Sequence, residues 1–275
     1  MIFETALAVI LGLCVGSFLN VCIYRLPKEL SLVKPGSFCP HCKGAVLWHD
    51  NIPVLSFLLL RGKCRSCRAS ISVRYPLVEI ISAVLFGVLY ARFGATLVFA
   101  QYLFFFLLLL VVSCIDIDYH AIPAYLCFIG IAVGLGFSVW QTVVYTKTTF
   151  FNLGQLPLVR SFRGLIFGFG FTYLFKFCGD IFISLYLALR KKESIEGEKE
   201  SLGLGDVDFM GMVGVFLGIK ATVLTFFLAP FFAIGYSVVA FVFKRSHLIP
   251  YLPYLSLGAL TAFFWQDKIL AFLFR

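Results

Sequence analysis

The stretch Gly203-Leu204-Gly205-Asp206 opens a short apolar run that continues from Val207 to Gly218. A carboxylate at the point where a glycine turn meets a membrane segment costs free energy to keep there, so it predicts a functional site. Asp116 and Asp118 follow the long apolar run from Ala95 to Ile115. Ionisable groups at the ends of two hydrophobic segments suggest that carboxylates from both act as a pair.

The composition indicates a membrane protein. Of the 275 residues, 61% are apolar and 13% are charged, which is far from the average soluble domain. A transmembrane helix needs about 20 mostly apolar residues, and the sequence predicts an all-α polytopic membrane protein with about eight transmembrane helices. The excess of 23 Lys and Arg over 14 Asp and Glu clusters in loops beside the apolar runs. Positive-inside topology explains this excess with fewer assumptions than a nucleic-acid partner.

The apolar runs define a topology. The first run carries Glu4 and no small-residue cleavage site, so we expect a retained helix and not a removed signal peptide. The basic segment that follows it should face the cytoplasm, which places both termini outside. Alternation then puts Asp116, Asp118 and Asp206 on the cytoplasmic side. If the short run after Asp206 does not cross, the topology beyond it inverts. The eight runs are 2–24, 76–93, 95–115, 123–145, 164–189, 207–218, 221–243 and 249–273.

Two Cys-x-x-Cys pairs, Cys39 with Cys42 and Cys64 with Cys67, lie in the polar segment after the first helix. Their separation is typical of a four-cysteine structural zinc site, and the bound ion would supply folding energy to a small segment. Two disulfides or free thiols are the alternative, which a reducing cytoplasm disfavours. His41 is expected to be solvated, since four cysteines complete the zinc shell. We therefore predict three parts: a first transmembrane helix (1–24), a cytoplasmic zinc-binding domain (25–75) and a transmembrane domain (76–275).

Other polar or reactive residues within the apolar runs are assigned structural roles. Lys176 and Asp180 are four positions apart on one predicted helix and are expected to neutralise each other. The remaining five cysteines are expected to be small buried hydrophobic side chains. These are Cys14, Cys22, Cys114, Cys127 and Cys178.

Two carboxylates that share a site can hydrolyse a peptide bond, because one acts as base toward water while the other protonates the carbonyl oxygen or the leaving amine. An ion- or proton-coupled transporter that uses Asp116 and Asp206 as a relay is the alternative. The absence of internal repeats and the position of both carboxylates at one face argue against it. A third hypothesis makes the zinc-binding segment a docking module on an inert membrane scaffold.

A set of motifs occurs in order along most of the chain, and it is much more specific than Gly-x-Gly-Asp alone. The motifs are Gly16-Ser-Phe-Leu-Asn-Val21, Tyr24-Arg-Leu-Pro27, the two cysteine pairs, Asn51-Ile-Pro-Val-Leu-Ser56, Arg74-Tyr-Pro-Leu-Val-Glu79, Asp116 seven residues before Pro123, and Gly203-Leu-Gly-Asp206. Together they resemble the type IV prepilin peptidase family, whose members are GxGD-type membrane aspartyl peptidases.

The resemblance implies an enzyme of the bacterial inner membrane that removes the basic leader from type IV prepilins and type II secretion pseudopilins. Cleavage would fall at the cytoplasmic face, between a Gly and a residue that is usually Phe. Many members with the cysteine-bearing domain also methylate the new N-terminal amine, using S-adenosylmethionine as the methyl donor. The implied partners are therefore prepilins, pseudopilins and membrane lipid, and no nucleic acid.

The resemblance also maps the catalytic pair onto this chain. Asp116, by its distance from the Ile-Pro dipeptide, and Asp206 match the family's two aspartates, and Asp118 is then a neighbour. The chain departs from the family at Asp208, where Lys is common, and at Ala124, where an acidic residue is common. The first departure makes the site more anionic.

The loop before Gly203 is mostly acidic, with glutamates at Glu193, Glu196, Glu198 and Glu200. One hypothesis is that it attracts the basic leader of a substrate. An ordinary solvated loop is the alternative. Glu79 matches the family pattern, but the sequence assigns it no chemistry.

Overall fold

A computed structural model describes residues 2–120, 123–148, 153–190, 201–242 and 250–273. Within these ranges the chain is helical and contains no β-strand, which confirms the predicted all-α fold. The helices are α1 (Ile2–Arg25), α2 (Leu55–Leu59), α3 (Arg74–Phe93), α4 (Leu97–Tyr119), α5 (Ala124–Thr148), α6 (Pro157–Arg190), α7 (Leu204–Leu217), α8 (Ile219–Val242) and α9 (Leu252–Leu273). Each predicted apolar run corresponds to one of these helices.

Six of the helices in the described ranges are long and apolar enough to cross a membrane: α1, α3, α4, α5, α6 and α8. The other two long helices do not qualify. Helix α7 has 14 residues and so spans about 21 Å, less than the roughly 30 Å of a bilayer core. Helix α9 carries Asp267 and Lys268 near its C-terminal end. The predicted number of eight is therefore approximate.

The chain forms two compact units, Met1–Tyr119 and His120–Arg275. In the first unit, α1 packs antiparallel against α3, and α4 packs against α3. The close approach of α1 and α3 requires glycine, because a Cβ at Gly12 would lie 2.6 Å from the Cα of Ala83, and one at Gly16 would lie 2.6 Å from the Cα of Glu79. Small residues allow backbones to approach in this way in membrane helices.

In the second unit, α7 lies among α5, α6, α8 and α9. Of its 14 residues, 11 are buried, so the helix is surrounded by protein and needs no membrane-length apolar surface of its own. It contacts α6 backbone to backbone. A Cβ at Gly164 would collide with the carbonyl of Gly214, and one at Gly168 would collide with the carbonyl of Met210. This packing fixes the helix that carries Asp206.

The cysteines of the apolar runs differ in burial. Cys22, Cys114 and Cys127 are buried as predicted. Cys14 and Cys178 are exposed on the protein surface, so the prediction of burial is wrong for these two. The reason is that a membrane helix is apolar on the face it turns to lipid as well as on the face it turns to protein, and an apolar context does not distinguish them.

Some predicted features lie outside the described residues. These are the acidic loop with Glu193, Glu196, Glu198 and Glu200, the basic residues Lys191, Lys192, Lys244 and Arg245, and the residue Ile122 of the Ile-Pro dipeptide.

Candidate active site

The four predicted zinc ligands meet in the first unit. The Sγ atoms of Cys39, Cys42, Cys64 and Cys67 all lie within 4.8 Å of one another, and those of Cys39 and Cys67 are 3.9 Å apart. Tetrahedral zinc with Zn–S bonds of about 2.3 Å places its sulfurs about 3.8 Å apart. The cluster therefore fits a four-cysteine zinc ion, as the sequence predicts, while His41 is exposed and is not part of it.

The two cysteine pairs are built on the same turn. The N–H of Cys39 donates to the carbonyl of Gly44 over 2.9 Å, and the N–H of Cys64 donates to that of Ala69 over 2.8 Å. In the first turn Lys43 has a positive φ, and a β-bridge between Phe38 and Ala45 closes the turn. In the second turn Arg68 has a positive φ, and a β-bridge between Lys63 and Ser70 closes it. Backbone hydrogen bonds therefore hold both pairs in matching conformations.

An ion pair links the second cysteine pair to the residues between the two pairs. Arg65 donates from Nε and Nη2 to the two carboxylate oxygens of Asp50, over 2.7 and 2.6 Å. These hydrogen bonds hold the pKa of Asp50 below its usual range. Such a pair of hydrogen bonds fixes orientation as well as distance, so Asp50 helps to hold the second cysteine pair against the residues between the two pairs.

Glu79 joins the segment that carries the four cysteines to the helices α1 and α3. It lies in α3, its side chain is buried, and its Oε2 accepts a hydrogen bond of 2.7 Å from the N–H of Val54. The side chain of Ser17 of α1 lies close to the same carboxylate. Val54 has a φ of 61°, a strained value for a β-branched residue. The carboxylate of Glu79 thus holds this turn in place, a role that the sequence did not indicate.

An open cavity of about 380 Å³ lies beside α1 in the first unit, and its lining includes Ser17, Val21, Arg25, Ser37 and Asn51. Its volume is within the range of small-ligand sites. The buried guanidinium of Arg25 donates to the carbonyls of the loop that forms one wall, over 2.7 Å to Ser31, 2.7 Å to Pro35 and 3.0 Å to Gly36. The side chain of Arg25 therefore holds this wall of the cavity in place.

Asp116 and Asp118 lie in the last turn and a half of α4 but in different surroundings. Asp116 is buried, with 6% of its surface exposed. Asp118 is ion-paired with Arg74, the first residue of α3, and its side chain is 27% exposed. The structure thus gives Asp118 a cationic partner that no sequence pattern predicts.

Asp206 is the third residue of α7 and is 7% exposed. Its Oδ2 accepts a hydrogen bond of 3.1 Å from the N–H of Gly203, and its own N–H donates to the carbonyl of Gly203 over 3.1 Å. A carboxylate that reaches back in this way stabilises a helix N-terminus. Leu204 and Gly205 are already helical, so the expected flexible turn is instead the first turn of the helix.

Other polar groups of the second unit lie near Asp206. The thiol of Cys127 lies within electrostatic range of both Asp206 and Asp208, and the phenol of Tyr251 lies within range of Asp206. The predicted pairing of Lys176 with Asp180 is confirmed, with 3.1 Å between Nζ and Oδ2. Lys176 also donates to the carbonyl of Leu202 over 2.7 Å. No sequence pattern predicts this last contact, because 26 residues separate its partners.

Comparison with known proteins identifies two matching family models. The model of the bacterial peptidase A24 N-terminal domain matches residues 10–93, and that of the type IV leader peptidase family matches residues 103–238. The second match contains Asp116 and Asp206. No solved structure matches the chain.

Three curated relatives share the name prepilin leader peptidase/N-methyltransferase. The protein from Neisseria gonorrhoeae is 30% identical over 97% of this chain and 92% of its own length. The one from Pseudomonas aeruginosa is 31% identical, over 95% and 90% respectively. The one from Myxococcus xanthus is 35% identical over 77% of this chain, which spans 56% of that relative's length.

Proposed function

The chain belongs to the family of prepilin leader peptidase/N-methyltransferases, and on that basis we propose that Asp116 and Asp206 are its catalytic pair. The observation that supports this assignment is their burial: each is a carboxylate near a helix end with less than a tenth of its surface exposed. Asp118, in contrast, has Arg74 as a partner. Buried carboxylates near helix ends, where the surroundings shift their pKa values, are the groups expected to do acid–base chemistry.

The proposed chemistry requires the two carboxylates to share one site. Like charges a few ångströms apart do not both ionise, so such a pair would hold one proton between them. The ionised group removes a proton from the attacking water, and the protonated group donates to the carbonyl oxygen of the scissile peptide. As the tetrahedral intermediate collapses, the proton that was taken from water passes to the leaving amine. The reaction needs no separate nucleophilic side chain.

The proposed substrates are type IV prepilins and type II secretion pseudopilins, cut after a Gly that follows a basic leader. Another relative, from Escherichia coli, has the name type 4 prepilin-like proteins leader peptide-processing enzyme and is 30% identical over 94% of this chain. The alternation of the helices supports cleavage at the cytoplasmic face of the inner membrane, since α4 ends and α7 begins on the same side of a bilayer if α5 and α6 both cross it. Both of these helices are long and apolar enough to do so.

Two bound groups complete the proposal. Zinc would be held by Cys39, Cys42, Cys64 and Cys67 and would stabilise the fold of the zinc-binding segment. S-adenosylmethionine would supply the methyl group for the new N-terminal amine. We propose the cavity beside α1 as its site, because the cavity has a suitable volume and a lining of hydroxyl, amide and guanidinium groups. The ion-relay alternative has no support from the comparisons, which match peptidases.

The experiment that tests this function uses the purified full chain, a synthetic prepilin-type peptide and labelled S-adenosylmethionine, with mass spectrometry of the products. The proposal predicts cleavage between Gly and Phe and a mass gain of one methyl group on the new N-terminus. Replacing Val21, which lines the cavity, by Trp should abolish methylation and leave cleavage intact. Failure of the unaltered protein to cleave would contradict the peptidase assignment, and unchanged methylation by Val21→Trp would contradict the cavity assignment.

A further inference from the structure

Lys176 is a buried cation in a helix that is apolar enough to span a membrane. It is 7% exposed, and it lies in α6. An ammonium group in such a place is costly unless it is paired, and polar residues within membrane segments are commonly functional. Its pairing with Asp180, at 3.1 Å, offsets its charge. That ion pair alone does not explain the second contact of Lys176, which is with the chain just before α7.

The second contact connects Lys176 to Asp206 through one peptide group. Lys176 Nζ donates to the carbonyl oxygen of Leu202 over 2.7 Å. The N–H of Gly203, which belongs to the same peptide group, donates to Asp206 Oδ2 over 3.1 Å. A cation at the oxygen of a peptide group and a carboxylate at its N–H polarise the group in the same direction, so each hydrogen bond strengthens the other.

Further contacts pin this peptide group to α6. The N–H of Ser201 donates to Asp180 Oδ1 over 2.7 Å. The hydroxyl of Ser201 lies 2.8 Å from the same oxygen and 3.0 Å from the carbonyl oxygen of Lys176. The segment before Gly203 is therefore attached to one turn of α6 by side chain and backbone together. The packing of Gly164 against Gly214 holds α6 and α7 together. Lys176 on α6 and Asp206 on α7 therefore have fixed positions relative to each other.

We propose that Lys176 is a positioning residue for Asp206, acting through the Leu202–Gly203 peptide group. It makes Gly203 a stronger donor to Oδ2, which fixes the rotamer of the carboxylate and keeps it ionised until it takes a proton from the attacking water. In this proposal Asp180 and Ser201 hold the segment in place, and the charge that polarises the peptide group is that of Lys176. The inference rests on the proposed function of Asp206.

A purely structural role makes a different prediction from an electrostatic one. If Lys176 only staples the segment to α6, then losing Asp180 or Lys176 should be equally harmful, and both losses should appear as lower thermal stability. If Lys176 acts on Asp206, its charge should matter for turnover, and substrate affinity should be unaffected because Lys176 is buried and so is not expected to contact the substrate. The split between kcat and KM therefore separates the two roles.

The test compares cleavage of a prepilin-type peptide by the full-length protein and by Lys176→Met, Lys176→Arg, Asp180→Asn and Asp206→Asn. Lys176→Met should lower kcat by about 10-fold or more and change KM by less than about 2-fold, because it removes a charge-assisted hydrogen bond that acts in the chemical step. Lys176→Arg, which keeps a cationic donor, should restore kcat to within about 3-fold of the unaltered protein. Asp180→Asn should also stay within about 3-fold.

Thr172→Val is the matched control. Thr172 lies one turn before Lys176 on α6 and is 1% exposed, and its hydroxyl has no hydrogen-bond partner among the described residues. Thr172→Val changes a buried side chain of the same helix without removing a charge, so kcat should be unaltered. If Lys176→Met does not fold, as measured by thermal unfolding, Lys176→Gln takes its place, since it keeps a donor and loses the charge.

The outcomes separate this inference from the one it rests on. Cleavage by Asp206→Asn would overturn the catalytic assignment itself. Loss of cleavage in Asp206→Asn together with unaltered kcat in the uncharged Lys176 variants would overturn the positioning role alone. A fall in kcat in Asp180→Asn as large as in Lys176→Met would also overturn it, in favour of a structural staple.

Discussion

A helix turns by about 100° per residue, so Asp116 and Asp118 leave α4 about 200° apart. This geometry gives the two carboxylates different neighbours although only Ile117 separates them in the sequence. Asp118 meets Arg74 at the start of α3, while Asp116 is buried. At the scale of the residue, the environment therefore separates a candidate catalytic carboxylate from a structural one.

The first prediction concerns Asp118. Asp118→Asn removes a partly exposed ion pair, so we expect a loss of stability of about 1 kcal/mol or less. Cleavage should remain within about 3-fold of the unaltered protein, because Asp118 takes no part in proton transfer. Thermal unfolding in detergent and a peptide cleavage assay measure these two effects. Abolished cleavage in a folded Asp118→Asn protein would show that the wrong aspartate of α4 has been chosen.

At the scale of the element, α7 is short and buried because glycines let it approach α6 backbone to backbone. Its own side chains Phe209, Met210 and Met212 are fully buried. Its N-terminus is where Asp206 lies, so the packing of α6 against α7 determines the position of the carboxylate. The close packing of α6 against α7 therefore explains why glycine is needed at Gly164 and Gly214, which the sequence alone does not indicate.

The second prediction follows from that packing. Gly164→Ala should destabilise the protein by about 1–3 kcal/mol and reduce cleavage, since the added Cβ meets the carbonyl of Gly214. Gly170→Ala in the same helix is the control, because nothing lies within 4 Å of its added Cβ. Alanine is also the better helix former, so the control should be neutral or slightly stabilising. Equal melting temperatures for the two variants would contradict the close packing.

The third prediction concerns the zinc-binding segment. The purified protein should contain about one zinc ion per chain, measured by elemental analysis, because the four thiols fit a tetrahedral site. Cys64→Ser should lose most of this zinc and make residues 38–70 more sensitive to a protease, since metal binding stabilises so small a segment. Cys14→Ser, which changes an exposed cysteine in α1, should keep its zinc. Zinc retained in full by Cys64→Ser would count against the site.

At the scale of the whole molecule, hydropathy predicted the all-α fold and each long helix, because membrane helices must be long and apolar. Cysteine spacing predicted the metal cluster for a similar reason, since its geometry is local. The contacts of Lys176 with Leu202, of Arg74 with Asp118 and of Glu79 with Val54 were not predictable. Their partners are far apart in sequence, and hydropathy carries no information about which faces of two helices meet.

The fourth prediction concerns topology. If α7 crosses the membrane, a reporter enzyme that is active only outside the cytoplasm should be inactive when fused after Arg245 and active when fused after Arg275. A short helix can cross in this position because protein, and not lipid, surrounds it. The opposite pattern of activity would show that α7 does not cross and that the helices after it are inverted.

The most direct test of the account is cleavage of a synthetic prepilin-type peptide by the purified protein and by Asp116→Asn and Asp206→Asn. Each substitution keeps the size of the side chain and removes its ability to exchange a proton. We predict that the unaltered protein cuts between Gly and Phe and that each variant, folded to the same melting temperature, loses cleavage by about 1,000-fold or more. Substantial cleavage by either variant would contradict the assignment of Asp116 and Asp206 as the catalytic pair.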